Sequence, residues 1–144
     1  MTTYELSNKI ESVNYNRFNK TYYNNLLKSK TIKDRLYYSN ELIKYLCNKY
    51  NIIIPQIKII DNNQPHNGRG HKCGDYNINR CIIRIWNKTS KLGKEVSIKQ
   101  FINTLLHEFI HHYDYKVLKL NDSIHSKGFY MRLSDLEKKL QNNN

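Results

Sequence analysis

Ser97-Ile98-Lys99-Gln100-Phe101-Ile102-Asn103-Thr104-Leu105-Leu106-His107-Glu108-Phe109-Ile110-His111 is the stretch on which both fold and chemistry turn. Ser97 followed three residues later by Gln100 is a capping-box pattern: the serine oxygen accepts the free Gln100 amide and the Gln side chain reaches back. A helix therefore begins at Ile98 and runs to about residue 116. Ile98, Phe101, Ile102, Leu105 and Phe109 follow the three- and four-residue spacing of a helix and form an apolar stripe that faces a core. His107 and His111 stand one turn apart on the opposite side. One helix thus buries one flank and offers two imidazoles on the other.

His107-Glu108-Phe109-Ile110-His111 is an H-E-x-x-H sequence. Two neutral imidazoles one turn apart can converge on one zinc ion, with the intervening glutamate beside the metal and not on it. Zinc makes water acidic enough to react near neutral pH, and Glu108 is placed to take its proton and pass it to a leaving amine. The expected chemistry is zinc-dependent amide hydrolysis, with Glu108 as general base. A longer motif with Gly at position 114 and His at 117 is excluded, since the chain has Asp114 and Val117 there. Asp114 lies seven residues from His107, about 10 Å along the axis, too far to share the ion, so a supporting or structural role suits it. His112 points around the helix from His111, to pack or face solvent. His125, after a loop and before the last amphipathic segment, is the preferred third ligand, with Asp122 and Glu137 as carboxylate alternatives.

Outward from this helix, apolar positions within 34–50 (Leu36, Tyr37, Leu42, Ile43, Leu46, Cys47) follow a helical spacing, with Cys47 read as a small buried side chain. Residues 56–60, after Pro55, and 80–86, where Cys81, Ile83 and Ile85 alternate with Ile82, Arg84 and Trp86, read as strands. The Asn-, Gly- and His-rich stretch 61–79 between them reads as a loop. A last helix is expected over 129–140, then a disordered tail at 141–144. Residues 1–30 suggest an N-terminal helix or ordered arm, with Tyr22, Tyr23, Leu26 and Leu27 inward. The expected fold is a single compact α+β, zincin-like domain: helices packed on a small antiparallel or mixed sheet, with H-E-x-x-H on a core helix. The Cys81 to Trp86 strand could supply a sheet edge to which a substrate strand adds beside the metal. Tyr113, Tyr115 and Tyr130 are candidates to steady an oxyanion.

A length of 144 residues suits one domain. Twenty-four Lys and Arg against 12 Asp and Glu give a net charge of +12, a field that attracts polyanions, nucleic acid first among them. High Lys, Asn, Ile and Tyr is equally what AT-rich coding produces. Three cysteines (Cys47, Cys73 and Cys81) and a start without an apolar export segment point to a soluble protein in the reducing interior of a cell. No apolar stretch approaches the roughly 20 residues that cross a bilayer. His66, His71, Cys73 and Cys81 could form a second, structural zinc site, although their spacing fits no standard finger. Alternatively Arg69, Lys72, Arg80 and Arg84 could make that hairpin an edge for polyanions.

His107-Glu108-Phe109-Ile110-His111, then His125 with Phe129 four residues on, resembles the SprT-like metalloprotease domain, whose pattern is H-E-x-x-H followed by H-G-x-x-F. The Gly68-Arg69 loop and the strand ending at Trp86 are similar to the hairpin preceding that family's active helix. Here Ser126 directly follows His125 and Gly128 comes two residues later, and no Cys lies beyond Cys81 to build the C-terminal zinc ribbon of many members. The resemblance implies zinc on His107, His111 and His125, Glu108 as catalytic base, protein or peptide substrates, and a link to DNA-associated proteins. Competing expectations are a nucleic-acid-binding module with a structural zinc, and a zinc peptidase of another lineage.

Overall fold

A computed structural model of the chain describes residues 1–67 and 70–141, with the side chains of residues 67, 70 and 71 left out. The proposed Gly68-Arg69 loop and residues 142–144 of the expected tail lie outside the described residues, while Gln141 is the last residue of the final helix. The fold is α+β. Helices α1 (Thr3–Lys9), α2 (Thr21–Leu27) and α3 (Ile32–Tyr50) precede strands β1 (Gln56–Asn63), β2 (His66–Asn67), β3 (Gly70–His71), β4 (Gly74–Asn77) and β5 (Ile82–Lys88). Helices α4 (Ile98–Lys116) and α5 (Lys127–Gln141) follow. No helix among the described residues is long and apolar enough to cross a membrane.

The main sheet is mixed, in the order β1-β5-β4, with β1 parallel and β4 antiparallel to β5. Strand β5 is therefore central. The edge beside the histidines is β4, which corrects the expectation that 80–86 supplies it; no alternation of apolar residues marks Gly74-Asp75-Tyr76-Asn77 as a strand. β5 also starts at Ile82, two residues late, because 78–80 form a turn and Cys81 takes the left-handed conformation at φ 54°. Inward Ile83 and Ile85 are fully buried, whereas Arg84 faces out.

Helix α4 is the centre of the molecule, packed against α2, α5, β4 and β5. Its start is as read: Ser97 Oγ accepts from Gln100 N at 3.2 Å. The return half of the capping box is absent, since the Gln100 amide instead donates to Thr104 Oγ1 at 3.2 Å. Phe101, Ile102, Leu105 and Phe109 of the expected stripe are buried, and burial extends beyond it to Leu106, Ile110, Tyr113 and the polar Thr104, Glu108, His112 and Asp114. In α3 the buried face runs through Arg35, Ser39, Leu42, Ile43, Leu46 and Cys47, while Leu36 and Tyr37 face solvent, contrary to the expected stripe. Arg35 is tolerated inside because its Nη1 donates to Asn87 Oδ1 and Val96 O, both at 2.9 Å, and its guanidinium lies over the Phe101 ring.

The N-terminal region holds two short helices, α1 and α2, joined by residues 10–20. Between α1 and α2 the chain crosses α4 and α5 as a strap whose backbone bonds to their side chains. Val13 N donates to Asp135, Val13 O accepts from Lys139 and Asn14 N donates to the Tyr113 hydroxyl. Tyr23 and Leu26 are buried as expected, in the same core as Phe101, Phe109 and Phe129.

Candidate metal centre

The two turns of α4 carrying His107 and His111 face an open cleft of about 550 Å³, whose walls are β4 and the 121–126 loop. The loop returns His125 to the same point. His125 Nε2 stands 3.1 Å from His107 Nε2 and 3.0 Å from His111 Nε2. Imidazole nitrogens bound tetrahedrally to one ion at about 2.0–2.1 Å are roughly 3.3 Å apart, so the spacing fits a shared ion within a few tenths of an ångström. Among the described residues these three side chains are the group able to hold a metal, and no carboxylate or thiol joins them. Asp122, one of the alternatives, instead accepts from the Tyr115 hydroxyl at 2.9 Å. Glu137 lines a separate recess with Tyr23 and Asn103.

The protonation pattern suits ligation. Burial, reinforced by the neighbouring imidazoles, pushes His107 down to about 4 and His111 down to about 3, so both are neutral near pH 7. Ser123 Oγ donates to Asp114 Oδ2 at 2.7 Å, so it must accept the Nδ1–H of His111, 2.8 Å away. That leaves the His111 Nε2 lone pair aimed at the other two imidazoles. Asp114 thus acts on the site through Ser123, as its distance along the helix suggested. Arg132 holds the Asp114 carboxylate with Nε to Oδ1 at 3.0 Å and Nη2 to Oδ2 at 2.9 Å, both side chains fully buried. Burial raises the Asp114 carboxyl, while Arg132 and Ser123 oppose that shift by bonding to the anion.

Glu108 lies beside the histidines on the cleft wall, and no side chain among the described residues hydrogen-bonds it. Burial pushes its carboxyl up to about 8, with Asp75 adding and Lys72 opposing. Gly74 lets β4 approach it: a Cβ there would lie 2.7 Å from Thr104 Cγ2 and 2.8 Å from Arg84 O. In the metal-free protein the fold opposes Glu108 ionisation, so its contribution to stability is whole below about 4.5 and is lost as pH rises through about 8. His107 and His111 run the other way, contributing above their ordinary 6.5 and losing it as pH falls through about 4 and about 3. Metal-free Glu108→Gln should therefore melt several degrees above the metal-free native chain at pH 9, at about 2–4 °C per kcal/mol, and with it at pH 5. An equal difference at both pH values would rule out burial of the charge as the cause.

His112, expected to pack or face solvent, is fully buried. Its Nε2–H donates to Ile53 O and its Nδ1 accepts from the Tyr76 hydroxyl, each at 2.7 Å, which ties α4 to β4 and to the segment before β1. Of the three tyrosines, Tyr113 is buried and bonded to Asn14, and Tyr115 is engaged by Asp122. Tyr130 is half exposed, its ring 6.1 Å from His107 and 5.9 Å from His125.

The second metal group does not form from its cysteines. Cys73 and Cys81 flank opposite ends of the β4–β5 hairpin, with all of β4 between them, five residue rises or about 16 Å. The Cys73 sulfur accepts from Gln100 at 3.8 Å, and Cys81 is half-buried. The His71 side chain lies outside the described residues. Ser7, Ser123, Ser126 and Arg132, which support the site, carry no sequence signal beyond their polarity within apolar surroundings. Compared with family models, curated proteins and solved structures, the chain matches none.

Proposed function

We propose that the chain is a zinc-dependent peptidase of SprT-like kind that cleaves extended polypeptide segments. The observation that carries this is the convergence of the His107, His111 and His125 nitrogens on one side of a cleft whose wall also presents the Glu108 carboxyl, unpartnered among the described residues. Three imidazoles with an open side match catalytic zinc sites, whereas structural sites are closed by a fourth protein ligand. Zinc, when bound, would supply Lewis acidity toward water and a peptide carbonyl. Glu108 would accept a proton from water and return it to the departing amine. The outer edge of β4 offers backbone groups on which a substrate strand can pair across the cleft.

The test is zinc content and peptide cleavage measured together. The native chain should hold one zinc, lose cleavage on chelation and regain it on adding zinc. His125→Ala should bind zinc more than about 100-fold more weakly, a larger loss than the 10–100-fold typical of residues behind the ligands. Native-like zinc affinity in that variant would reject His125 as ligand, and no cleavage by the zinc-loaded native chain would reject the peptidase.

A second reading, a surface for DNA or another polyanion, has its own support. Lys58, Lys72, Arg80 and Arg84 line one recess of about 410 Å³ next to the cleft, with Asp75 the acidic residue among them. Asp75 pairs with Lys72 and with Arg84, while Lys72 and Arg84 also lie over Trp86. Binding of a duplex through these contacts should weaken steeply with salt and weaken further in Lys58→Ala/Arg80→Ala. Salt-independent binding, or none at low salt, would exclude this surface.

A further inference from the structure

The loop that brings His125 to the other histidines is held from the far end of the chain. Ser7 Oγ, in α1, bonds Ser126 Oγ at 2.8 Å, one residue after the ligand. The same Ser126 oxygen accepts from Phe129 N at 3.1 Å at the start of α5. Asn8 Oδ1 accepts from Gly128 N at 2.8 Å. A Cβ at Gly128 would lie 2.1 Å from Ser7 O and 2.8 Å from Asn8 Cα, so α1 rests directly on this backbone.

Arg132 joins that contact to the other side of the loop. Its Nη1 donates to Ser7 O at 2.6 Å and Ile10 O at 2.7 Å, and its Nη2 to Ser7 Oγ at 3.0 Å. Its remaining donors hold Asp114, which holds Ser123, which orients His111. All five guanidinium protons are thus used, three on the N-terminal segment and two on the carboxylate behind a ligand. Ser123 and Ser126 bracket His125, one tied to α4 through Asp114 and the other to α1.

We propose that α1 and the residues following it are a positioning strap for the metal centre: docking of Ser7 and Asn8 on Gly128, Ser126 and Arg132 sets the place of His125, and metal occupancy in turn tightens the docking. This rests on the three histidines binding a metal. The coupling is reciprocal by thermodynamic necessity, since an element that raises metal affinity when docked is docked more firmly when metal is bound. The positioning residues are Ser7, Asn8 and Gly128, and none touches the ion. The placement of glycine at 128 also has a reason here: this is the position α1 covers, whereas Ser126 is needed for its hydroxyl.

The experiment uses the full chain with zinc or cobalt alone as probe. Gly128→Ala, which forces α1 off its seat, should weaken zinc binding by about 10–100-fold and change the visible absorption of the cobalt-loaded protein. Asn8→Ala, which removes one bond and leaves the packing, should do so more mildly. Hydrogen exchange in the native chain should slow at residues 3–10 when zinc is added. Asn8→Ala and the native exchange experiment keep the test decisive if Gly128→Ala does not fold. Unchanged zinc affinity in Asn8→Ala together with exchange at 3–10 indifferent to zinc would overturn the strap, even where the native chain binds zinc normally. No metal binding by the native chain would overturn the metal centre and the strap with it.

Discussion

Peptide cleavage by Glu108→Gln is expected to fall by about 10²–10⁴-fold, the range that a positioned general acid or base contributes, with zinc still bound. Gln keeps the shape of the side chain but has no carboxylate to accept a proton. Zinc should stay because Glu108 is not in the histidine group, and His111 keeps its orientation through Ser123 and Asp114. Single-turnover cleavage of a fluorogenic peptide, beside metal analysis of the same sample, gives both quantities. Native cleavage in the variant would remove Glu108 from the chemistry, and loss of zinc would make it a ligand.

Arg132→Ala should reduce the free energy of unfolding by about 3–5 kcal/mol, the cost of breaking a buried ion pair by removing one partner. The loss is large because the Asp114 carboxylate would stay buried without its counter-charge, and Ser7 O and Ile10 O would lose their Nη1 donor. An exposed pair elsewhere, Lys88 with Asp61, sets the comparison: exposed ion pairs contribute at most about 1 kcal/mol. Urea unfolding of the native chain, Arg132→Ala and Lys88→Ala would separate the two. A cost below about 1 kcal/mol for Arg132→Ala would mean that the interior pair is not what binds the N-terminal segment to α5.

Local spacing carried a good deal of this protein. The start and length of α4, the shared face of His107 and His111, and the buried Leu42, Ile43, Leu46 and Cys47 of α3 all follow from a 3.6-residue period and a serine cap. The same period misassigned the first turns of α3, where Leu36 and Tyr37 were expected inside. Arg35 and Ser39 occupy that face because Asn87, Val96 and Phe101, remote in sequence, receive the guanidinium. Strand β4 escaped notice because four residues with two polar side chains and a glycine have no alternation to read, and pairing with β5 alone makes them a strand.

The residues themselves determine that one helix presents two imidazoles and a carboxylate one turn apart, since that spacing is set by hydrogen bonds within the helix. They also narrow the third partner to a few downstream groups. The tertiary structure alone decides that His125 meets the other two across 18 and 14 residues, that Ser123 turns His111, and that Arg132 bonds a serine 125 residues away. Those contacts depend on where the chain returns after each turn, and side-chain periodicity holds no record of that path. The H-E-x-x-H helix is a local fact, and its completion as a three-histidine cluster able to hold a metal is a product of packing.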